Sequence, residues 1–423
     1  MKRSNYKKRL IDDQIEKYLS AFGAVCIEGP KWCGKTWTSE YHSNSEFYVG
    51  SPAGNFSNRA LAEMSPDLVM QGDTPRLIDE WQEAPSLWDA VRAEVDRRGE
   101  KGQFILTGSS TPDRKGVLHS GAGRIARLKM RPMTLFESGR SSGDVSLRDL
   151  CDGRITPAIT GDVSLVDLID YIVRGGWPDS QEISLSQAAL IPSSYIDSIL
   201  NYDIPRLEGI RYDVAKMHLL LRSLARNEST AASIETLTRD VADEGGSIHR
   251  DTVQSYLNTF DRLFLTENQP PFSEKIRSSV RIKQSSKRHF VDPSLAVALL
   301  GATPEMLLND LETLGFLFEA MCERDLRVFA ESMGAALFHY QDYANREIDA
   351  VIEMKDGSWC ACEIKLGANQ IDKAAEKLLT LAESIKKDGG KPPAVCCVIS
   401  GLSNAAYQRK DGVFVVPITA LRN

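Results

Sequence analysis

At 423 residues the chain is too long for one ordinary core, and two to four domains are expected. Hydrophobic content of 42%, charged content of 26% and a net charge of −7 fit a globular protein and exclude one that coats nucleic acid indiscriminately, though not a local basic face. No apolar run approaches the roughly 18–20 residues that cross a bilayer, so no membrane partner is expected.

The N-terminal segment MKRSNYKKRLIDDQIEKYL is basic, with no apolar centre and no small-residue cleavage site, and does not read as a signal peptide. The eight cysteines never form CxxC, and most lie in apolar strand-like runs. With only six scattered histidines, this pattern suits reduced thiols in a cytoplasmic protein better than disulfides or a zinc site.

From about residue 20 to 135, short apolar runs alternate with helical stretches: AVCI at 24–27, RLID at 76–79 and QFILTG at 103–108. Such alternation reads as a parallel sheet wrapped by helices. Between those runs GPKWCGKT, residues 29–36, fills the pattern GxxxxGK[ST] with a strand before it and a helix after it. Gly29 and Gly34 let the backbone turn so that amides converge on phosphate oxygens, across Pro30, Lys31, Trp32 and Cys33. Lys35 would neutralise the β and γ charge, Thr36 would ligate Mg²⁺, and Trp37 follows in the first turn of a helix whose N-terminus favours anions. Pro30 and Trp32 make the loop bulkier than usual. Cys33 reads either as a redox gate on the loop or, far better, as a small residue at a variable position.

In RLIDEWQEAP, Asp79 would hold magnesium through water and Glu80 would orient and deprotonate the attacking water. Trp81 and Trp88 nearby read as core and lid packing. Ser109 and Ser110 in ILTGSS sit at the tip of a third strand, where a polar side chain would sense the γ-phosphate; an ordinary Gly-Ser turn is the competing reading.

From about 165 to 270 the pattern turns helical, with 3.6-residue spacing in VDLIDYIV and MHLLLRSLAR. Residues 232–271 look like two short helices around a Gly-Gly turn and then a hairpin, the outline of a winged helix-turn-helix. Arg250, Thr252, Gln254 and Ser255 would lie on its recognition helix. The stretch SEKIRSSVRIKQSSKRHF, 273–290, carries six Lys or Arg against one Glu and reads equally as a phosphate-contacting face or a solvated linker. Beyond 290 come a long helix, ETLGFLFEAMCERDLRVFAESM, strands ALFHY, EIDAVIEM and SWCACEIKL, a helix at 370–386, and strands PAVCCVIS and GVFVVPI.

Taken together, GPKWCGKT, LIDE, LTGSS and GRIARLKMRPMTLFE resemble the N-terminal domain of bacterial and archaeal AAA-type (AAA_14-like) ATPases, in which it is joined to a DUF4143-type domain. The resemblance covers nearly the whole chain. It implies that GGWP at 175–178 is similar to an element that places Pro178 against adenine, and it aligns VDPSLAVALLG with a further family stretch. It also makes Arg124 a candidate for the γ-phosphate, in its own subunit or a neighbour's; a structural salt bridge is the competing role.

In NREIDAVIEMKDGSWCACEIKLG, two strands joined by Lys-Asp-Gly put Glu363 and Lys365 on one face and Asp349 opposite them. Asp…Glu-x-Lys on adjacent strands resembles PD-(D/E)XK nucleases, where carboxylates hold Mg²⁺ beside a scissile phosphate and the lysine stabilises charge or activates water. Glu319 resembles the extra acid such nucleases add from the preceding helix, and Gln370 is a supporting candidate. A salt-bridged strand face is the plain alternative, but three ionisable groups converging on a covered sheet should be costly without an ion.

These readings assemble into an α/β multidomain protein: a P-loop ATPase domain over 1–160, a helical lid and winged helix over 161–285, and a restriction-endonuclease-like domain over 286–423. ATP and Mg²⁺ are the expected cofactors, nucleic acid (DNA before RNA) the expected macromolecular partner, and a homo-oligomer a consequence of Arg124 acting in trans. The expected activity is ATP hydrolysis coupled to a nuclease-like domain; the alternative is an ATP-dependent switch or scaffold whose last domain only binds.

Overall fold

The computed structural model describes residues 6–110, 118–206, 212–243, 247–275, 284–342 and 346–423. They form two compact units. The first comprises the chain up to Pro132, Arg206 and Asn258–Leu265; the second comprises the remainder, so the helical middle and the C-terminal sheet share a unit.

In the first unit, β1 (Ala24–Glu28) is buried along its apolar length, as a strand covered on both faces must be. With β2 (Ser45–Tyr48), β3 (Arg76–Asp79), β4 (Phe104–Gly108) and β5 (Ile125–Lys129) it forms an all-parallel sheet in the order β2-β3-β4-β1-β5. Side chains alternate between two cores. Ala24 and Cys26 join Trp81, Trp88 and Leu106 on one face, while Val25 and Ile27 join Ile15, Leu77 and Ile105 on the other. Trp81 and Trp88 pack ring to ring at 4.7 Å, as core residues. Sequence reasoning found β1, β3 and β4 but missed β2 and β5. The first is a half-exposed edge strand of Ser-Glu-Phe-Tyr, and the second interrupts its apolar run with exposed Arg127. Because the strands are parallel, the ends of β1, β3 and β4 open on one edge, where a ligand site is expected.

In the second unit the strands are β6 (Val145–Ser146), β7 (Ala158–Ile159), β8 (Ala336–Gln341), β9 (Glu347–Glu353), β10 (Trp359–Lys365), β11 (Val395–Ser400), β12 (Ala405–Gln408), β13 (Phe414–Pro417) and β14 (Leu421–Arg422). Seven of them form one mixed sheet in the order β7-β12-β13-β11-β10-β9-β8, in which β10, β11 and β13 run parallel and β8, β9 and β10 form an antiparallel meander. The helix Ile371–Lys387 lays Ala374, Leu378 and Leu381 on one face against Val351, Ala361 and Val398. The long helix Leu311–Ser332 starts at Asp310, whose carboxylate accepts the Thr313 amide.

Helices Ile234–Asp243 and Arg250–Arg262 fall where the sequence suggested; the Gly-Gly turn lies outside the described residues, as do residues 276–283 of the basic stretch. Antiparallel bridges join Thr266 to Phe290 and Gln269 to Lys287, and Thr230 pairs with Arg288. This paired segment continues onto β8, where the Phe272 amide donates to the His339 carbonyl at 2.6 Å.

A buried joint explains two motifs at once. Gly175 has φ 65°, and a Cβ there would lie 2.4 Å from Asp292 Oδ1, so only glycine fits. The Gly176 amide donates to Asp292 Oδ2 at 2.9 Å and Trp177 Nε1 donates to Ser294 Oγ at 2.9 Å. Arg324 bonds both Asp292 and Asp325, and Asp325 accepts the Leu135 amide at 2.8 Å. Replacing Asp292 by Ala takes one of two carboxylates from the buried Arg324 and the acceptor from the Gly176 amide, and a loss of about 3–5 kcal/mol of unfolding free energy is expected; urea denaturation measures it, and a loss below about 1 kcal/mol contradicts the joint's role.

Candidate functional site

The loop after β1 is shaped by its glycines. A Cβ on Gly29 would sit 2.1 Å from the Met130 carbonyl oxygen, and Gly34 has φ 104°, in the region glycine favours. Between them Pro30 and Cys33 are buried, Lys31 is half-buried, and Trp32 is exposed, as is Trp37 in the helix Lys35–His42. Cys33 is fully buried in the apolar cluster beneath the loop, which leaves an oxidant no direct path to the thiol and favours the packing reading over the redox one. The Cys33 carbonyl accepts from Arg9 Nη1 at 2.8 Å, and Arg9 Nη2 donates to the Arg131 carbonyl at 2.8 Å. Arg9 thus braces the loop from the N-terminal segment, a role no motif revealed.

Lys35 Nζ donates to the carbonyls of Gly29 at 3.0 Å and Pro30 at 2.8 Å, so the loop itself satisfies the buried ammonium. Thr36 Oγ1 donates to Asp79 Oδ1 at 2.9 Å, and Thr107 Oγ1 donates to the same oxygen at 2.7 Å. Burial pushes the Asp79 carboxyl up from its ordinary value, against the hydrogen bond from Thr107. The Thr107 hydroxyl also accepts the Glu80 amide at 2.9 Å. Glu80 itself stands at φ 56°, ψ 50°, left-handed geometry that costs a non-glycine residue and clusters at working sites. Its Oε2 accepts from Ser109 Oγ at 2.9 Å and from Gln82 Nε2. A hydroxyl and a carboxylate touching at the mouth of a phosphate loop are a donor set that suits Mg²⁺, which takes one or two protein oxygens and fills its octahedron with phosphate and water.

Arg124 lies elsewhere. It precedes β5, whose first residue pairs with Ala24 at the start of β1, while the loop leaves the far end of β1 beyond Glu28. Five residues of strand put it on the order of 15 Å from the loop, and its Nε donates to Asp96 Oδ1 at 2.8 Å. A γ-phosphate contact within its own subunit is therefore corrected. Pro178 stands in the second unit, and in the turn before it the Gly176 amide and Trp177 Nε1 are taken up by Asp292 and Ser294.

In the second unit, β9 and β10 bring the expected residues together. Asp349 Oδ2 accepts from Lys365 Nζ at 2.9 Å and from the Ile364 amide at 2.8 Å. Glu363 lies 2.9 Å from the Lys365 ammonium and accepts from Lys377 Nζ at 2.7 Å. Lys287 donates to Glu319 Oε1 at 2.7 Å and lies 3.8 Å from Asp349 Oδ1. Lys287 and Lys377 were not foreseen: one was read as part of a basic surface stretch, the other as a helix charge. Gln370 is exposed, and its side chain accepts the Gly367 amide at 3.0 Å.

The carboxylates feel burial differently. Burial raises Glu319 to about 7, helped by Asp349 and opposed by Lys287. Burial would also raise Asp349, but Lys287 and Lys365 outweigh it and hold that carboxyl at about 2. Burial and the neighbouring Asp349 raise Glu363. Each acid already has an ammonium partner, and among the described residues no group of three His, Cys, Asp or Glu side chains is arranged to hold a metal ion. Lysines balance the buried charge for which the sequence argument required an ion, and the cluster as arranged does not fit a divalent metal.

A family described as AAA domain matches residues 21–138, and DUF4143 matches residues 314–421. Residues 165–306 match DUF8612; it and DUF4143 are described as domains of unknown function. The chain is an AAA-type P-loop protein with a C-terminal DUF4143 domain. Over 344 residues it is 24% identical to the uncharacterized protein Rv2008c of Mycobacterium tuberculosis, covering 81% of this chain and 70% of that one. Among solved structures, a Walker-type ATPase of Pyrococcus abyssi is 13% identical with a TM-score of 0.41, over 70% of this chain and 97% of that one. The AMPPCP-bound DnaA of Aquifex aeolicus is 13% identical with a TM-score of 0.27, over 60% and 86%.

The two extreme carboxylates predict opposite pH effects. Glu319, raised to about 7 from an ordinary 4.5, favours folding fully below 4.5, and that contribution is lost as pH rises through 7. Asp349, lowered to about 2 from 3.8, stabilises above 3.8 and loses that as pH falls toward 2. Between about pH 4.5 and 7.5, wild type should lose stability relative to Glu319→Gln in urea unfolding; a pH-independent difference contradicts the assignment.

Proposed function

We propose that this chain binds and hydrolyses ATP at the loop 29–36 and couples nucleotide state to a C-terminal domain of restriction-endonuclease-like kind that acts on nucleic acid, DNA before RNA. The observation that carries the first part is the convergence of Lys35, Thr36, Asp79, Thr107 and Glu80 at the ends of three parallel strands. Magnesium would be held by Thr36 and Asp79, where it would supply charge neutralisation for the phosphates. The remaining work falls to the chain. Lys35 exchanges two loop carbonyls for the phosphates, because an ammonium gains more from anionic oxygens than from neutral ones. Glu80 exchanges Ser109 and Gln82 for the attacking water, orients it and accepts its proton.

Asp349, Glu363 and Lys365 on adjacent strands support the nuclease-like reading of the last domain. Helices 234–243 and 250–262, followed by the paired 266–269 and 287–290, support a winged helix; exposed Arg250, Gln254 and Ser255 support a nucleic-acid-facing surface. Arg124, nearly half exposed, remains a candidate for a neighbouring subunit's nucleotide within a homo-oligomer. The boundaries 1–160, 161–285 and 286–423 are retained as functional divisions. One observation favours a second reading, a nucleotide switch whose last domain only binds: its acids are already neutralised by lysines.

Two assays separate these readings. Lys35→Ala should lower the ATP hydrolysis rate by about a hundredfold or more, and Glu80→Gln should keep ATP affinity while losing hydrolysis to a similar degree; full activity in Lys35→Ala defeats the assignment. Any Mg²⁺-dependent cleavage of duplex or single-stranded substrates should vanish in Asp349→Ala and Lys365→Ala. If wild type and Lys365→Ala cut equally, the cleavage is a contaminant's and the binding-only reading stands.

A further inference from the structure

The C-terminal cluster draws three carboxylates and three ammonium groups from five elements: Lys287 from the paired segment, Glu319 from the long helix, Asp349 from β9, Glu363 and Lys365 from β10, and Lys377 from the last helix. The lysines are not equivalent. The side chains of Lys365 and Lys377 are 26% and 43% exposed, so either ammonium can swing to water on its flexible stem. That of Lys287 is 6% exposed. Its backbone is fixed from both sides, since its amide and carbonyl pair with Gln269, whose side-chain nitrogen donates to the carbonyls of Phe338 at 2.9 Å and Asp349 at 3.1 Å. The Lys287 ammonium therefore stands between Glu319 and Asp349 and cannot leave by a rotamer change into bulk solvent.

A divalent cation taken by Glu319 and Asp349 would lie within a few ångströms of that ammonium. At such separations like charges repel strongly even when partly screened. From this we infer that Lys287 is the resident cation of the cluster and sets its metal preference: with the ammonium in place, Glu319 and Asp349 exclude divalent metal. The inference rests on the nuclease-like reading of the same carboxylates.

The probe is Mn²⁺, followed by electron paramagnetic resonance on the full, nucleotide-free chain carrying Lys35→Ala to silence the phosphate loop. That protein should show no Mn²⁺ site dependent on Asp349 up to millimolar metal. Adding Lys287→Met, which keeps the stem and removes the charge, should create one such site with affinity raised by at least about tenfold, lost again with Asp349→Asn. Equal Mn²⁺ binding with and without Lys287→Met overturns the inference while leaving the carboxylate-site reading intact. Absence of binding in a natively folded Lys287→Met protein overturns both. Should Lys287→Met fail to fold, acetylation of the unmutated lysine, read by mass spectrometry, decides: Lys287 should stay protected both without metal and in millimolar Mn²⁺. Reactivity equal to that of exposed lysines in metal-free protein overturns it.

Discussion

A buried carboxylate must meet a cation or a set of hydrogen-bond donors, and each unit of this protein is organised by how that requirement is met. Asp79 meets two hydroxyls, from Thr36 and Thr107. Asp292 and Asp325 share one guanidinium, that of Arg324. Asp349 meets two ammonium groups and a backbone amide. The cost of leaving any of these charges alone in a low-dielectric interior exceeds most other local energies in a domain. Their partners are therefore fixed, and with them the strands and helices that carry the partners.

The kind of partner separates binding chemistry from scaffolding. Around Asp79 the donors are neutral, so the site keeps a net negative charge ready for a metal and, beside it, a lysine held only by carbonyls. That is an arrangement poised for a charged ligand. Around Asp292 and Asp325 the partner is an arginine with matched geometry, buried and complete, and the result is a joint linking the Gly-Gly-Trp turn, the segment at Leu135 and the long helix. The C-terminal cluster lies between these extremes, with metal-type donors and protein-supplied cations together.

Much of this was legible in the sequence where one residue type has one physical use. A GxxxxGKT loop after an apolar strand admits few readings, and Asp79, Glu80 and Ser109 follow from strand ends on one edge of a parallel sheet. The period-two placement of Glu363 and Lys365 opposite Asp349 is equally direct. What stayed hidden depends on long-range pairing. Lys287 lies in a run of basic residues that reads as surface, and only the pairing of its segment with Gln269 and β8 turns it inward. The tie between Gly175–Trp177 and Asp292, more than a hundred residues later, shows only once Asp292 is seen to accept the Gly176 amide. Arg124 reads equally as a nucleotide contact or a salt bridge, and only the register with Ala24 puts it at the strand end opposite its own subunit's loop. Thr107, lying within the quoted LTGSS, was overshadowed by the serines beside it.

The account turns on whether the first unit takes a magnesium-bound triphosphate. Isothermal titration of wild-type protein with ATP, with magnesium and then with excess chelator, tests this most directly. A single saturable site that weakens at least about tenfold when the metal is withdrawn is the predicted result. No detectable heat or saturation with MgATP, in protein shown to be folded, would contradict the account at its root.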